Sequence, residues 1–187
     1  MVLGPGPSSL AHLSRARGTL AGYGVDLEVA LGTSATDGRV ELPLSLTVGA
    51  WLVRDALGTD SRSVGCSVGP DDPAGRSGDL IKVAAGVDTV LIVMGDGSAR
   101  RSSAAPGYLD DRAEIFDTQV AAALRGGDSV ALSAIDAQIG AELLAAGVPA
   151  WHAAAVLLQG RQHDAQLLYA DAPYGVGYFV AAWTAGG

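Results

Sequence analysis

One cysteine, Cys66, occurs in 187 residues. That excludes an internal disulfide and any multi-cysteine metal site. Histidines number only three, His12, His152 and His163. None stands in an HExxH arrangement or beside a pair of cysteine ligands. There is no GxSxG elbow for a serine nucleophile. No apolar run approaches the roughly 18 residues needed to cross a bilayer, so no membrane partner is expected. The opening segment, MVLGPGPSSL, lacks the basic stretch and long apolar core of a secretory signal. Basic residues are scarce, 12 against 20 acidic ones, for a net charge of −8. An acidic surface repels phosphate backbones, which argues against nucleic acid. These absences describe a cytoplasmic protein, with a homo-oligomer as the general expectation for an acidic α/β chain of this size.

What is present describes a well-buried globule. Hydrophobic residues make up 49% of the chain and charged ones 17%, which leaves enough apolar surface for a real core. The 26 glycines fall mostly at segment ends, and no repeat or low-complexity linker divides the chain. Residues 2–3 read as the end of a strand that stops at Gly4. Residues 25–31 alternate apolar and polar and read as a strand wet on one face. After Pro43 a helix is expected over 44–57, its buried stripe being Leu44, Val48, Trp51, Leu52 and Ala56. Residues 62–68 read as a strand, 69–79 as a loop with a solvated Asp71–Asp72 turn, and a short helix then runs to Ala85. Residues 87–94 are six-eighths large and apolar, which suits a central strand buried on both faces.

Asp110 or Asp111 can cap a helix over 112–124, with Ile115, Phe116, Val120 and Leu124 facing inward. Helices over 134–145 and 150–158 follow, then strands at 164–171 and 174–183. The alternation predicts one domain over residues 1–187. It would be an α/β layered sandwich with a mostly parallel central sheet, helices on both faces and an antiparallel pair at one edge.

Chemistry concentrates in MGDGSARRSSAAPGYLDD, which follows the most apolar segment. In open α/β sheets, ligands bind beyond the carboxyl ends of central strands. Asp96, Ser98, Arg100, Arg101 and Tyr108 are the candidate ligand-binding residues of this loop. Two adjacent guanidinium groups can hold a carboxylate, a phenolate or a phosphate bidentately, so a small anionic or aromatic ligand fits. The opposing reading pairs Arg100 and Arg101 with Asp96, Asp110, Asp111 or Glu114 merely to hold the loop. The glycines of GDGSARR suggest a phosphate loop, but the Walker lysine and its spacing are missing. Cys66, inside a strand, reads as an inert small hydrophobe. His12 reads as a surface histidine at a helix start, His152 as a hydrogen-bonded, partly buried one, and His163 as solvated in a polar turn.

The stretches VLIVMGDGSARRSSAAPGYLDDRAEIFDTQVAAAL and ADAPYGVGYFVAAW resemble bacterial class III extradiol ring-cleavage dioxygenase-like proteins. That superfamily includes the catalytic subunit of protocatechuate 4,5-dioxygenase and the Memo proteins. The resemblance to the bacterial subgroup extends over nearly the whole chain. It implies an α/β sandwich and one Fe(II) or another divalent metal, held by two histidines and a carboxylate. The chain departs from that pattern. The first ligand histidine belongs to a Pro-flanked motif after an N-terminal strand, and a chain opening MVLGPGP starts too late for it. No second ligand histidine stands between Gly32 and Asp79. Arg101 stands about where the catalytic members carry a further histidine, and a guanidinium stays protonated and cannot serve as a base. GVPAWHA lacks the acid expected near Gly147, so no catalytic residue or metal ligand carries over.

Three readings stand open at this stage. The first is a dioxygenase-fold protein without ring cleavage that binds a small anion. The second is a non-haem metal-dependent dioxygenase acting on a catechol, with His12, His152 and Glu142 as metal-ligand candidates and Asp96 as an alternative acid. The third is a non-catalytic, partner-binding subunit.

Overall fold

The computed structural model describes residues 1–12, 16–32, 42–58, 63–72 and 90–185. The chain forms a mixed α/β structure in two compact units, Met1–Met94 and Gly95–Gly187.

The first unit is built on a four-stranded sheet. β1 (Val2–Pro5) runs parallel to β5 (Gly65–Val68) on one side and to β6 (Ile92–Val93) on the other. β2 (Leu10–His12) joins the far side of β5 antiparallel, giving the order β2-β5-β1-β6. β3 (Arg17–Thr19) and β4 (Glu28–Ala30) form a separate antiparallel hairpin, tied by an Arg17–Glu28 ion pair. The described sheets are therefore mixed, not mostly parallel. The interior positions in the four-stranded sheet belong to β5 and β1, and Val2 and Leu3 of β1 are wholly buried. Ile92 and Val93, expected in a doubly buried central strand, are half-buried and at the edge of the described sheet. The strand expected over 25–31 shortens to Glu28–Ala30. Residues 33–38, Arg62, 73–79, the short helix to Ala85 and 87–89 lie outside the described residues.

α1 (Leu44–Leu57) occupies its expected span but buries another face. Leu46, Thr47, Gly49, Ala50 and Val53 point inward, whereas Leu44, Trp51 and Leu52 are exposed. The cause is close approach. A Cβ on Gly49 would run into the Val2 side chain, so the helix meets β1 through its small residues. Leu46, Ala50 and Val53 then pack with Val2, Val29 and Leu31 in the core of this unit. Ranking positions by side-chain size selected the outer stripe, because the tightest contact uses the smallest side chains.

The second unit holds α2 (Arg112–Gly126), α3 (Ser129–Ser133), α4 (Ala137–Glu142) and α5 (Val148–Leu158). β7 (His163–Asp171) and β8 (Tyr178–Ala185) close it as an antiparallel hairpin. Asp110 caps α2 from just outside it, its Oδ1 accepting the Arg112 N–H at 3.0 Å. Ile115 is exposed, whereas Phe116 and Val120 are buried as expected. The helix expected over 134–145 shortens to α4, and α3 forms ahead of it where no helix was expected. Asp128 accepts the Ala131 N–H, and Asp136 accepts those of Gln138 and Ile139. Each carboxylate satisfies amides that a helix start leaves unpaired, so each starts a new helix. No described helix is long and apolar enough to cross a membrane.

The inner face of α1 gives a direct test. Leu46→Ala is expected to cost about 2–5 kcal/mol in urea unfolding, as for a fully buried leucine. Leu52→Ala on the exposed face is expected to cost less than about 1 kcal/mol. The reverse ranking would restore the stripe read from the sequence.

Candidate functional site

The loop 95–108 is held by a carboxylate supplied by α2. The buried face of that helix is Ala113, Phe116, Asp117, Val120 and Ala121, so an acid sits within an apolar stripe. Asp117 is 2% exposed. Its Oδ1 accepts the Ser98 N–H at 2.8 Å, and its Oδ2 accepts the Ser98 hydroxyl at 2.8 Å. The Arg101 guanidinium donates to the same Oδ2 at 3.1 Å and lies 3.7 Å from Glu114. A buried carboxylate is costly unless it is hydrogen-bonded and neutralised, and these three donors do both.

Glycine makes this approach possible. A Cβ on Gly97 or Gly177 would collide with the Asp117 carboxylate oxygens. The same two segments are joined by backbone bonds. Gly97 N–H donates to Gly177 C=O at 2.7 Å, and Gly177 N–H donates to Ser98 C=O at 2.8 Å. Arg101 N–H donates to Gly175 C=O at 3.0 Å. The motifs GDGSARR and YGVG therefore pair with each other around one buried charge.

The two arginines differ completely. Arg101 is committed to Asp117. Arg100 points elsewhere in the loop, and its Nε is buried with no hydrogen-bond partner among the described residues. Its carbonyl accepts the Asp110 N–H at 3.0 Å, and Gly107 lies against its side-chain stem. Tyr108 and Leu144 adjoin this point, with φ of 61° and 57°. They are the non-glycine residues with positive φ among those described. Left-handed backbone at such residues costs free energy that the surroundings must supply, and it clusters where a binding surface is shaped. Tyr108 is also 67% exposed.

Asp110 itself is claimed by Arg112, whose side chain grips both carboxylate oxygens and reaches Glu142 at 2.6 Å. The bonds from Arg112 hold the Asp110 carboxyl down at about 2, and they lower Glu142 as well. At the other end of the loop, the Asp96 carbonyl accepts the Gly147 N–H at 2.9 Å. The Asp96 side chain is open to solvent on its outer side. Protein packed behind it costs the carboxylate hydration and raises its pKa. Burial raises the neighbouring Tyr178 phenol, with Asp96 and Tyr174 adding to the shift.

Each sequence-derived site residue thus has a place. Ser98 is wholly buried, with amide and hydroxyl both bonded to Asp117. Arg101 holds the loop chiefly through Asp117, with Glu114, one of the expected partners, 3.7 Å away, and not through Asp96, Asp110 or Asp111. Arg100, Tyr108 and Asp96 remain at the surface of the loop. The residue missed is Asp117, and its signal was an acid at an inward position of an otherwise apolar helix face. Tyr178, which feels both Asp96 and Tyr174, was also missed, because only the pairing of 97–101 with 175–177 brings it to Asp96.

The histidines are engaged elsewhere. His12, expected at the surface near a helix start, is buried in β2, with Nε2 3.0 Å from the Ser67 hydroxyl. His152 is half-buried and bonds the Ile135 carbonyl at 2.8 Å, as expected. His163, expected in a solvated turn, is half-buried in β7. It bonds the Leu158 carbonyl and lies against Trp183. Cys66 is buried, and loss of hydration pushes its thiol up to about 11, which fits an inert residue. Asp71 is exposed, while Asp72 accepts the Ser9 hydroxyl. Among the described residues no group of three His, Cys, Asp or Glu could hold a metal ion. His12, His152 and Glu142 therefore belong to no such donor group.

No protein-family model matches the chain, and no curated protein is significantly similar to it.

Replacing the buried carboxylate separates its role from that of its exposed neighbour. Asp117→Ala is expected to cost about 3–5 kcal/mol, because it leaves Arg101 and the Ser98 donors without their partner. Glu114→Ala is expected to cost less than about 1 kcal/mol. Equal costs in thermal or urea unfolding would remove Asp117 from its central position.

Proposed function

We propose that this chain is a cytoplasmic protein with the layered α/β sandwich of the extradiol-dioxygenase-like family. On this reading it has lost ring-cleavage activity and binds a small anionic ligand at the loop 95–108. The observation that carries the proposal is the division of labour between the arginines. Arg101 is consumed by a buried carboxylate, whereas Arg100 keeps a buried Nε with nothing bonded to it. An Nε with no partner is a donor whose full desolvation cost is unmet, and a bound carboxylate or phosphate would meet it. Tyr108, exposed and with left-handed backbone, follows Gly107, which lies against the Arg100 stem, and offers an aromatic surface to a ligand that carries a ring.

The loss of ring cleavage is supported by chemistry. Opening a catechol ring with O₂ requires a metal with open positions. Among the described residues no three His, Cys, Asp or Glu side chains form a group that could hold one. Arg101 cannot substitute as a base.

The test uses benzoate and inorganic phosphate as probes, followed by amide chemical shifts of Arg100, Gly107 and Asp110. Saturable shifts are expected with at least one probe, and Arg100→Gln should weaken that binding about 10- to 100-fold. The proposal fails if neither probe binds, or if Arg100→Gln leaves binding unchanged. It fails equally if the chain loaded with Fe(II) cleaves a catechol.

A further inference from the structure

The β7–β8 hairpin has two edges of opposite character. The β7 edge carries the devices that keep sheet edges from pairing, with Asp164 near one end, Asp171 at the other and a bulge at Leu168. β8 reads YFVAAWTA. Over eight residues it has no charge, no proline and no bulge of its own. Just upstream, the chain is already used for pairing, since Gly175 and Gly177 bond to Arg101, Gly97 and Ser98. That pairing stops at Gly177. From Tyr178 to Ala185 no third strand pairs with the hairpin among the described residues. A row of unpaired amides and carbonyls in extended backbone recognises one thing, another extended backbone.

We propose that β8 pairs antiparallel with β8 of a second copy of this chain, so that two hairpins become one four-stranded sheet across a two-fold axis. Charge selects this occupant. The chain carries −8, so most of its surface repels a second copy. β8 is a strand along which two copies can meet without placing like charges opposite each other. Pairing about a two-fold axis is self-complementary, so every donor on one edge finds the matching acceptor on the other. Ala181 and Ala182 at the middle of the strand let the backbones approach. The exposed cross-strand pair Tyr169–Val180 and the neighbouring Leu168 lie on the hairpin and would continue across the joined sheet. This inference rests on the edge alone and stands apart from anion binding at Arg100.

Sedimentation of the full chain across micromolar concentrations tests it. The wild-type chain is expected to form a dimer. Val180→Lys and Ala182→Lys both sit at exposed positions of β8 and would each place two like charges near the axis. Each is expected to weaken the dimer at least about tenfold with unchanged far-UV circular dichroism. Gln166→Lys, exposed on β7, is expected to leave the dimer intact. A wild-type chain that is monomeric throughout overturns the proposal. A dimer that survives both β8 substitutions, or is lost equally with Gln166→Lys, overturns it too.

Discussion

A carboxylate shut away from water stays charged only where donors replace its hydration. Asp117 meets that condition with three donors, and the rest of the second unit follows from it. The Ser98 amide and hydroxyl must reach it, which draws the loop inward. Arg101 must neutralise it, which fixes the register of the loop against 175–177. Gly97 and Gly177 must lack side chains, or the carboxylate would have no room. One acid on one helix thus explains two glycine-rich motifs some 80 residues apart in sequence.

The same constraint explains why two adjacent arginines are not equivalent. Side chains of neighbouring loop residues diverge. Arg101 turns toward α2, and Arg100 is left with Gly107 and Asp110 beside it. A rigid loop is what an anion site requires, since ordering the donors beforehand lowers the cost of binding. On the proposed reading, the buried ion pair supplies rigidity and the second arginine supplies a donor.

Much of the fold was legible in the sequence where a local signal had a local cause. α1 begins after Pro43, α2 ends at its glycines, and the closing strands pair as a hairpin. Other features depend on contacts that no short window contains. The inner face of α1 was misread because Gly49 and Ala50 touch the sheet while Trp51 and Leu52 do not. His12 is buried because β2 returns antiparallel to β5, a pairing between residues more than 50 positions apart. The break between α3 and α4 was readable, since Asp128 and Asp136 are both good caps. The helix expected over 134–145 nonetheless starts ahead of the Asp136 cap, and α3 falls outside it. In the site, the arginine pair marked the right loop. The acid that answers Arg101 lay one helical turn past the acids considered, hidden among apolar neighbours.

Amide hydrogen exchange at Ser98 tests the central role of Asp117 most directly. Its N–H donates to a buried carboxylate and not to regular secondary structure. If Asp117 organises the loop, this amide exchanges only with the opening of the whole unit, at the rate of the slowest amides of α2. A Ser98 amide that exchanges as fast as the exposed amides around Ser103 and Ala104 would show that the loop opens alone, and would contradict that role.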